Sequence, residues 1–142
     1  MIKYIEYTPT ASEYNYLTKS VGWGIRDENI VEEALNNTLY SLSVFDEDKL
    51  IGYGRIIGDK TIFLYIQDVM VIPEYQGKNI GSGIINNILE KIKEYKKIYP
   101  YIRVYLGAAK DKDGFYKKFG FKTREEVDLG PGMVLSGDEY EK

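Results

Sequence analysis

The chain has 142 residues, 44% of them apolar and 29% charged, with 19 Lys+Arg against 22 Asp+Glu for a net charge of −3, the make-up of one ordinary globular domain. That small negative charge supplies no field to hold a phosphate backbone or an anionic membrane, so neither is an expected partner. With 0 His and 0 Cys, Ser-His-Asp and Cys-His catalysis, disulfides and thiolate-bound zinc are excluded, and no metal is expected. Chemistry must run on carboxylates, Tyr, Lys, backbone amides, water or a bound cosubstrate.

Met1 to Glu6 shows no apolar block ahead of a small-residue cleavage site, and uncharged stretches such as Asn79 to Leu89 fall far short of the roughly 20 residues that span a bilayer. The expectation is a soluble cytoplasmic protein. Ile2 to Tyr7 alternates as a short strand. Ser12 is positioned to cap a helix to Lys19, Gly22-Trp23-Gly24 forces a loop, and a second helix runs from Asp27 to Asn36. From Leu39 the period becomes two: Tyr40, Leu42 and Val44 point one way, Ser41 and Ser43 the other, up to the turn Asp46-Glu47-Asp48. Leu50 to Ile57 and Thr61 to Ile72 continue an antiparallel meander. The latter run is so apolar that both its faces should be covered.

After Gly81 the period changes to 3.6, with Ile85, Ile88, Leu89 and Ile92 on one face of a helix to Lys97. A strand Ile102 to Leu106, a short helix Gly114 to Phe119 and two last strands, Phe121 to Asp128 and Met133 to Leu135, complete a mixed α/β domain over residues 1–142.

The segment from Val69 to Gly83 joins a buried strand, a glycine-rich loop and a helix N-terminus. Gly77, Gly81 and Gly83 let a ligand approach the backbone, and the unpaired N–H groups at the helix start favour a phosphate. A plain glycine-rich turn reads equally well from spacing alone. Neither a P-loop nor G-x-G-x-x-G is present, so ATP and NAD readings drop.

Gln76-Gly77-Lys78-Asn79-Ile80-Gly81 resembles the Q/R-x-x-G-x-G/A signature of the GNAT superfamily of acyl-CoA-dependent N-acyltransferases, with Asn79 where the pattern has Gly. Asn tolerates left-handed backbone better than other non-glycine residues. Phe115-Tyr116-Lys117-Lys118-Phe119-Gly120-Phe121 is similar to the family's late F-Y-x-x-x-G-F pattern, and the element order is also the family's. The resemblance implies a GNAT fold: a mixed sheet of about six to seven strands, splayed between two parallel strands, Tyr65 to Ile72 and Ile102 to Leu106, and flanked by about four helices.

The resemblance further implies acetyl-CoA as cosubstrate. Main-chain groups of Val69, Met70 and Val71 would hold the thioester. Gln76, Gly77, Lys78, Asn79, Ile80, Gly81, Ser82 and Gly83 would hold the pyrophosphate, and Tyr116 would protonate the leaving thiolate. The family's base position matches Gln67 or Tyr65, neither of them a base at neutral pH. Asp68, the one carboxylate on that strand, is the candidate at the end of a water chain, or else bonds loop backbone. Trp23 and Arg26 on one side and Asp128 on the other would wall the acceptor pocket, and Gln67 would also contact the acceptor.

The reaction implied is acetyl transfer to a primary amine, of a small molecule in preference to a peptide. The alternatives are a peptide or protein amine acetyltransferase and a GNAT-like ligand-binding or regulatory module without turnover. The 14 Tyr leave aromatic surface for a homodimer contact.

Overall fold

The computed structural model describes residues 1–135, and the chain divides into two compact units, Met1–Leu106 and Gly107–Lys142. The first unit runs β1 (Ile2–Glu6), α1 (Ala11–Ser20), α2 (Glu28–Asn36), β2 (Tyr40–Asp46), β3 (Lys49–Gly58), β4 (Phe63–Val71), a 3-10 turn (Pro73–Tyr75), α3 (Ile80–Ile98) and β5 (Arg103–Leu106). The strands form one sheet in the order β1-β2-β3-β4-β5. All neighbours pair antiparallel except β4 and β5, which are parallel and joined by α3 as a crossover.

The register Leu42↔Gly54, Val44↔Gly52 and Ile56↔Ile66 puts these residues on one sheet face. Against that face α3 lays Ile84, Ile85, Ile88 and Ile92, all at most 3% exposed, and burying each such side chain contributes roughly 1.5–3 kcal/mol. The approach is close: a Cβ on Gly54 would stand 2.7 Å from Ile84 Cγ2 and 3.0 Å from Ile88 Cδ1. Leu89 is half-buried at the margin of the stripe.

The opposite face meets α1 and α2, with the Tyr14 and Tyr53 rings edge to face at 6.2 Å. Strand β2 is therefore covered on both faces. Ser41 and Ser43 are buried, Ser41 sharing a hydrogen bond with the Tyr53 hydroxyl at 2.6 Å and Ser43 donating to the Tyr7 carbonyl at 2.8 Å. Strand β4 departs in the other direction. Leu64 and Ile66 are buried while Phe63 and Tyr65 are exposed, so apolar content marked its central place but not the cover of both faces.

Thr10, not Ser12, caps α1: its hydroxyl accepts from the Glu13 N–H at 3.1 Å, and the Glu13 carboxylate accepts from the Thr10 N–H at 2.8 Å. Thr-x-x-Glu is a reciprocal capping pattern that Ser12 lacks. The second unit contains α4 (Asp113–Lys117) and a 3-10 turn at Glu125–Val127. Phe115 contacts Tyr116 at 5.0 Å and Phe119 at 5.4 Å, and Tyr116 contacts Phe121 at 6.2 Å.

The two expected last strands are not present among the described residues, which leaves five strands in place of six or seven. The local chemistry accounts for the first of them. The Thr123 N–H donates to Glu126 Oε1 at 2.9 Å, and the Glu126 N–H donates to Thr123 Oγ1 at 3.3 Å. That box draws the segment into a helical turn.

Candidate active site

The site grows from an irregularity in β4. Arg55 pairs with Gln67 and Tyr53 with Met70, so Asp68 and Val69 together oppose the single residue Gly54. This is a β-bulge, and Asp68 sits in it with φ 58°, left-handed backbone rarely adopted by a non-glycine residue. Beyond the bulge β4 loses its parallel neighbour, since pairing with β5 ends at Ile66↔Leu106.

The Ile72 N–H donates to the Ile51 carbonyl at 2.9 Å, toward β3. Alternation then turns the backbone groups of Val71 and Val69 to the open edge. The same alternation turns the Met70 backbone toward Tyr53, and its side chain is 2% exposed in the core. Met70 therefore drops out of the expected set of thioester-binding groups.

Next along the chain, Gly77 (φ 78°) and Asn79 (φ 65°, ψ 17°) both adopt left-handed backbone. Asn79 thus takes the conformation for which a glycine is the ordinary choice. The first bond of α3 is the Gly83 N–H to the Asn79 carbonyl, 3.1 Å, so the N–H groups of Ile80, Gly81 and Ser82 precede it. Helices α1 and α2 are capped by Thr10 and Asp27 side chains, and α3 has neither a capping side chain nor an acidic residue in its first turn. Its positive dipole end is thus not offset by a capping or acidic side chain of its own first turn.

Lys78 holds its ammonium 5.2 Å from the Tyr75 ring centre beside this loop. Gln76 donates its amide to the Val71 carbonyl at 2.9 Å, so its side chain ties the loop to the end of β4. Gly83 departs from expectation. A Cβ there would collide with the Tyr4 ring, its N–H is spent on Asn79, and its carbonyl accepts from Asn87 at 2.8 Å, so it serves packing and not ligand approach.

Asp68 Oδ2 accepts from the Tyr14 hydroxyl at 2.7 Å and from Arg55 Nε at 2.8 Å. Both side chains of the ion pair are about as buried, at 15% and 14% exposed. Burial first, and the Asp68 charge next, push the Tyr14 phenol well above its ordinary range, so it remains a donor. On the same sheet face Ile57, Phe63, Tyr65, Gln67 and Tyr105 line an open depression of about 530 Å³, with Tyr65 and Tyr105 stacked at 6.4 Å.

Trp23 is 49% exposed on a loop pinned by buried polar groups of α1. Asn15 grips both backbone groups of Arg26 at 2.8 and 3.2 Å, and Thr18 donates to the Gly24 carbonyl at 2.7 Å. In the second unit, burial raises the Tyr116 phenol above its ordinary range. Asp128 is exposed in left-handed backbone after the 3-10 turn, and the neighbouring Glu126 carboxylate is engaged by Thr123 and by Lys117 at 3.4 Å.

Arg55, Tyr14, Asn15 and Thr18 are the residues that sequence reasoning missed. A usable signal existed for Arg55, a lone cation in the apolar run Leu50-Ile-Gly-Tyr-Gly-Arg-Ile-Ile57 that answers the lone carboxylate in the next strand. Among the described residues no group of acidic side chains is arranged to hold a metal ion, and no helix is long and apolar enough to cross a membrane.

Residues 38–123 match the family described as acetyltransferase (GNAT) domain. The chain belongs to the GNAT acetyltransferase family. An uncharacterized N-acetyltransferase ycf52-like protein from Prochlorococcus marinus is 36% identical over 86 residues, covering 58% of this chain and 48% of its own length. A glucosamine 6-phosphate N-acetyltransferase from Trypanosoma brucei brucei is 32% identical over 85 residues, covering 60% of this chain and 51% of its own length. The chain thus spans about half the length of these curated relatives. Among solved structures, the GNAT family acetyltransferase SP0256 from Streptococcus pneumoniae superposes with a TM-score of 0.80 at 28% identity, covering 97% of this chain and 99% of that one. GNAT membership implies acetyl-CoA use.

Proposed function

We propose that the chain is an N-acetyltransferase that moves the acetyl group of acetyl-CoA to a primary amine of a small molecule. The observation that carries this reading is the junction of the open β4 edge with the uncapped start of α3. One offers backbone donors at Val69 and Val71, the other at Ile80, Gly81 and Ser82. The donor set suits the ligand: three N–H groups at a positive helix end and the adjacent Lys78 match a pyrophosphate, and the unpaired strand edge matches an extended amide-bearing arm.

Acetyl-CoA, when bound, supplies the activated thioester. The residues of this chain orient and discharge it. Backbone N–H at the open edge would hold the carbonyl oxygen, where negative charge develops as the amine nitrogen bonds to carbon. As the C–S bond breaks, the Tyr116 phenol would give its proton to the sulfur, and the amine's proton would pass to solvent, from which the Tyr116 phenolate would be reprotonated. No His is required. The family match runs through the boundary between the two units, which supports treating residues 1–142 as one working domain.

A small-molecule acceptor is supported by the size of the depression beside Gln67 and by the amino-sugar acceptor in the name of the Trypanosoma relative. Thermal melting with acetyl-CoA, CoA, ATP and NAD, followed by thiol release against a panel of amines, tests the reading. The expected result is stabilisation by both CoA species, about 2.7 kcal/mol at a hundredfold excess over Kd, with thiol release from at least one small amine. Stabilisation without thiol release from any amine would convert the reading to a ligand-binding module. Release with peptides alone would move the acceptor class.

A further inference from the structure

Asp68 is the one carboxylate on β4, and its surroundings speak against a base. Its Oδ2 takes both the Tyr14 hydroxyl, 2.7 Å, and Arg55 Nε, 2.8 Å. Arg55 continues the network with its Nη1, donating to Thr38 Oγ1 at 3.0 Å and to the Ala34 carbonyl in the last turn of α2 at 3.4 Å. A single carboxylate thus joins α1, through Tyr14, to β3 and the end of α2. It does so from the one residue of β4 whose backbone is left-handed. The bulge places an extra residue between Gln67 and Met70, so without it the register of the strand would continue unbroken and Val69 would present a different edge.

We propose that Asp68, Arg55 and Tyr14 form a clamp that locks the β4 bulge, and that Asp68 is a positioning residue for the thioester-binding backbone at Val69 and not the general base. The clamp acts through geometry. It holds a left-handed aspartate against relaxation to the extended strand and fixes both N-terminal helices to the same point. This rests on the acetyltransferase reading for its consequence in catalysis, but not for its structural content, and the two are measured separately.

The structural readout is amide hydrogen exchange over residues 67–71 in the ligand-free protein, for the wild type, Asp68→Gly, Asp68→Asn and Tyr14→Phe. Glycine accepts the left-handed backbone but has no carboxylate. Asn accepts it tolerably and keeps an oxygen for Tyr14 and Arg55. Exchange about 10-fold faster in Asp68→Gly, with α3 unchanged and Asp68→Asn near wild type, supports the clamp. Unchanged exchange in both Asp68→Gly and Tyr14→Phe overturns it.

The catalytic readout is kcat, CoA affinity and the pH–rate profile. Expected are a fall in kcat of about 100-fold for Asp68→Gly at unchanged CoA Kd, and a pH–rate profile of wild-type shape for Asp68→Asn. Loss of the acidic limb in Asp68→Asn would restore Asp68 as the base and overturn the positioning role. Absence of thiol release from the wild type would fell the acetyltransferase reading instead, leaving the exchange data to decide the clamp.

Discussion

Asn79 carries a fine balance at the residue scale. In the left-handed region an L-residue other than Asn, Asp or Gly is strained by about 1 kcal/mol or more, and Asn79 stands there at φ 65° as the residue that opens α3. Asn79→Ala is expected to destabilise the fold by about 1 kcal/mol in urea melts and to weaken CoA binding, whereas Asn79→Gly retains both within about 0.5 kcal/mol. Tyr116 gives a second test. Its phenol is raised by burial, so the protonated form that would serve the leaving thiolate persists through neutral pH and is lost only as pH rises above the ordinary phenol value of about 10. Tyr116→Phe is expected to lower kcat by about 100-fold while leaving CoA Kd in place, as read by thiol release and calorimetry. An unaltered kcat would remove Tyr116 from the proposed role.

At the scale of elements, the close seating of α3 on the sheet rests on small residues in β3. Gly54→Ala would drive a methyl group to 2.7 Å from Ile84 and 3.0 Å from Ile88. The expected cost is roughly 1–3 kcal/mol in a denaturant melt. An accompanying loss of CoA affinity would show that the N-terminus of α3 had moved. The elements themselves were largely legible. The 3.6 period of Ile85, Ile88 and Ile92 comes from burial on one face of α3, the period of two in β2 reflects the strand's alternation of apolar and small polar residues, and the cap at Asp27 is written in the chain. Thr10-x-x-Glu13 and Thr123-x-x-Glu126 were legible too, as reciprocal boxes, and reading them would have moved one helix start and replaced one expected strand by a turn. The burial of Ser41 and Ser43 was not legible, for a different reason. A serine can be buried when a partner arrives from a distant segment, here Tyr53 and Tyr7, and polarity alone cannot announce that partner.

For the molecule as a whole, burial pushes up the phenols of Tyr14 and Tyr53, the latter to about 12. Their folded values lie above the unfolded value of about 10, so their contribution is fully present below pH 10 and is lost as pH climbs toward 12. Melting temperature is expected to be insensitive to these groups at pH 8–9 and to fall steeply above pH 10, in step with tyrosinate absorbance. A flat profile to pH 12 would show that both phenols ionise without penalty. The sequence by itself determined the family, the order of elements from β1 to α4, the glycine-rich loop ahead of α3 and the exclusion of His and Cys chemistry, because those depend on local spacing and residue type. Only the tertiary structure decided that β4 is bulged at Asp68, that Asp68 is held by Arg55 and Tyr14, that Gly83 accommodates Tyr4, and that the Trp23 loop hangs on Asn15 and Thr18. Tyr14 and Asp68 lie 54 residues apart in the chain. Pairing of buried polar groups across such a distance is set by which faces meet when the sheet closes on its helices, and no local pattern encodes it.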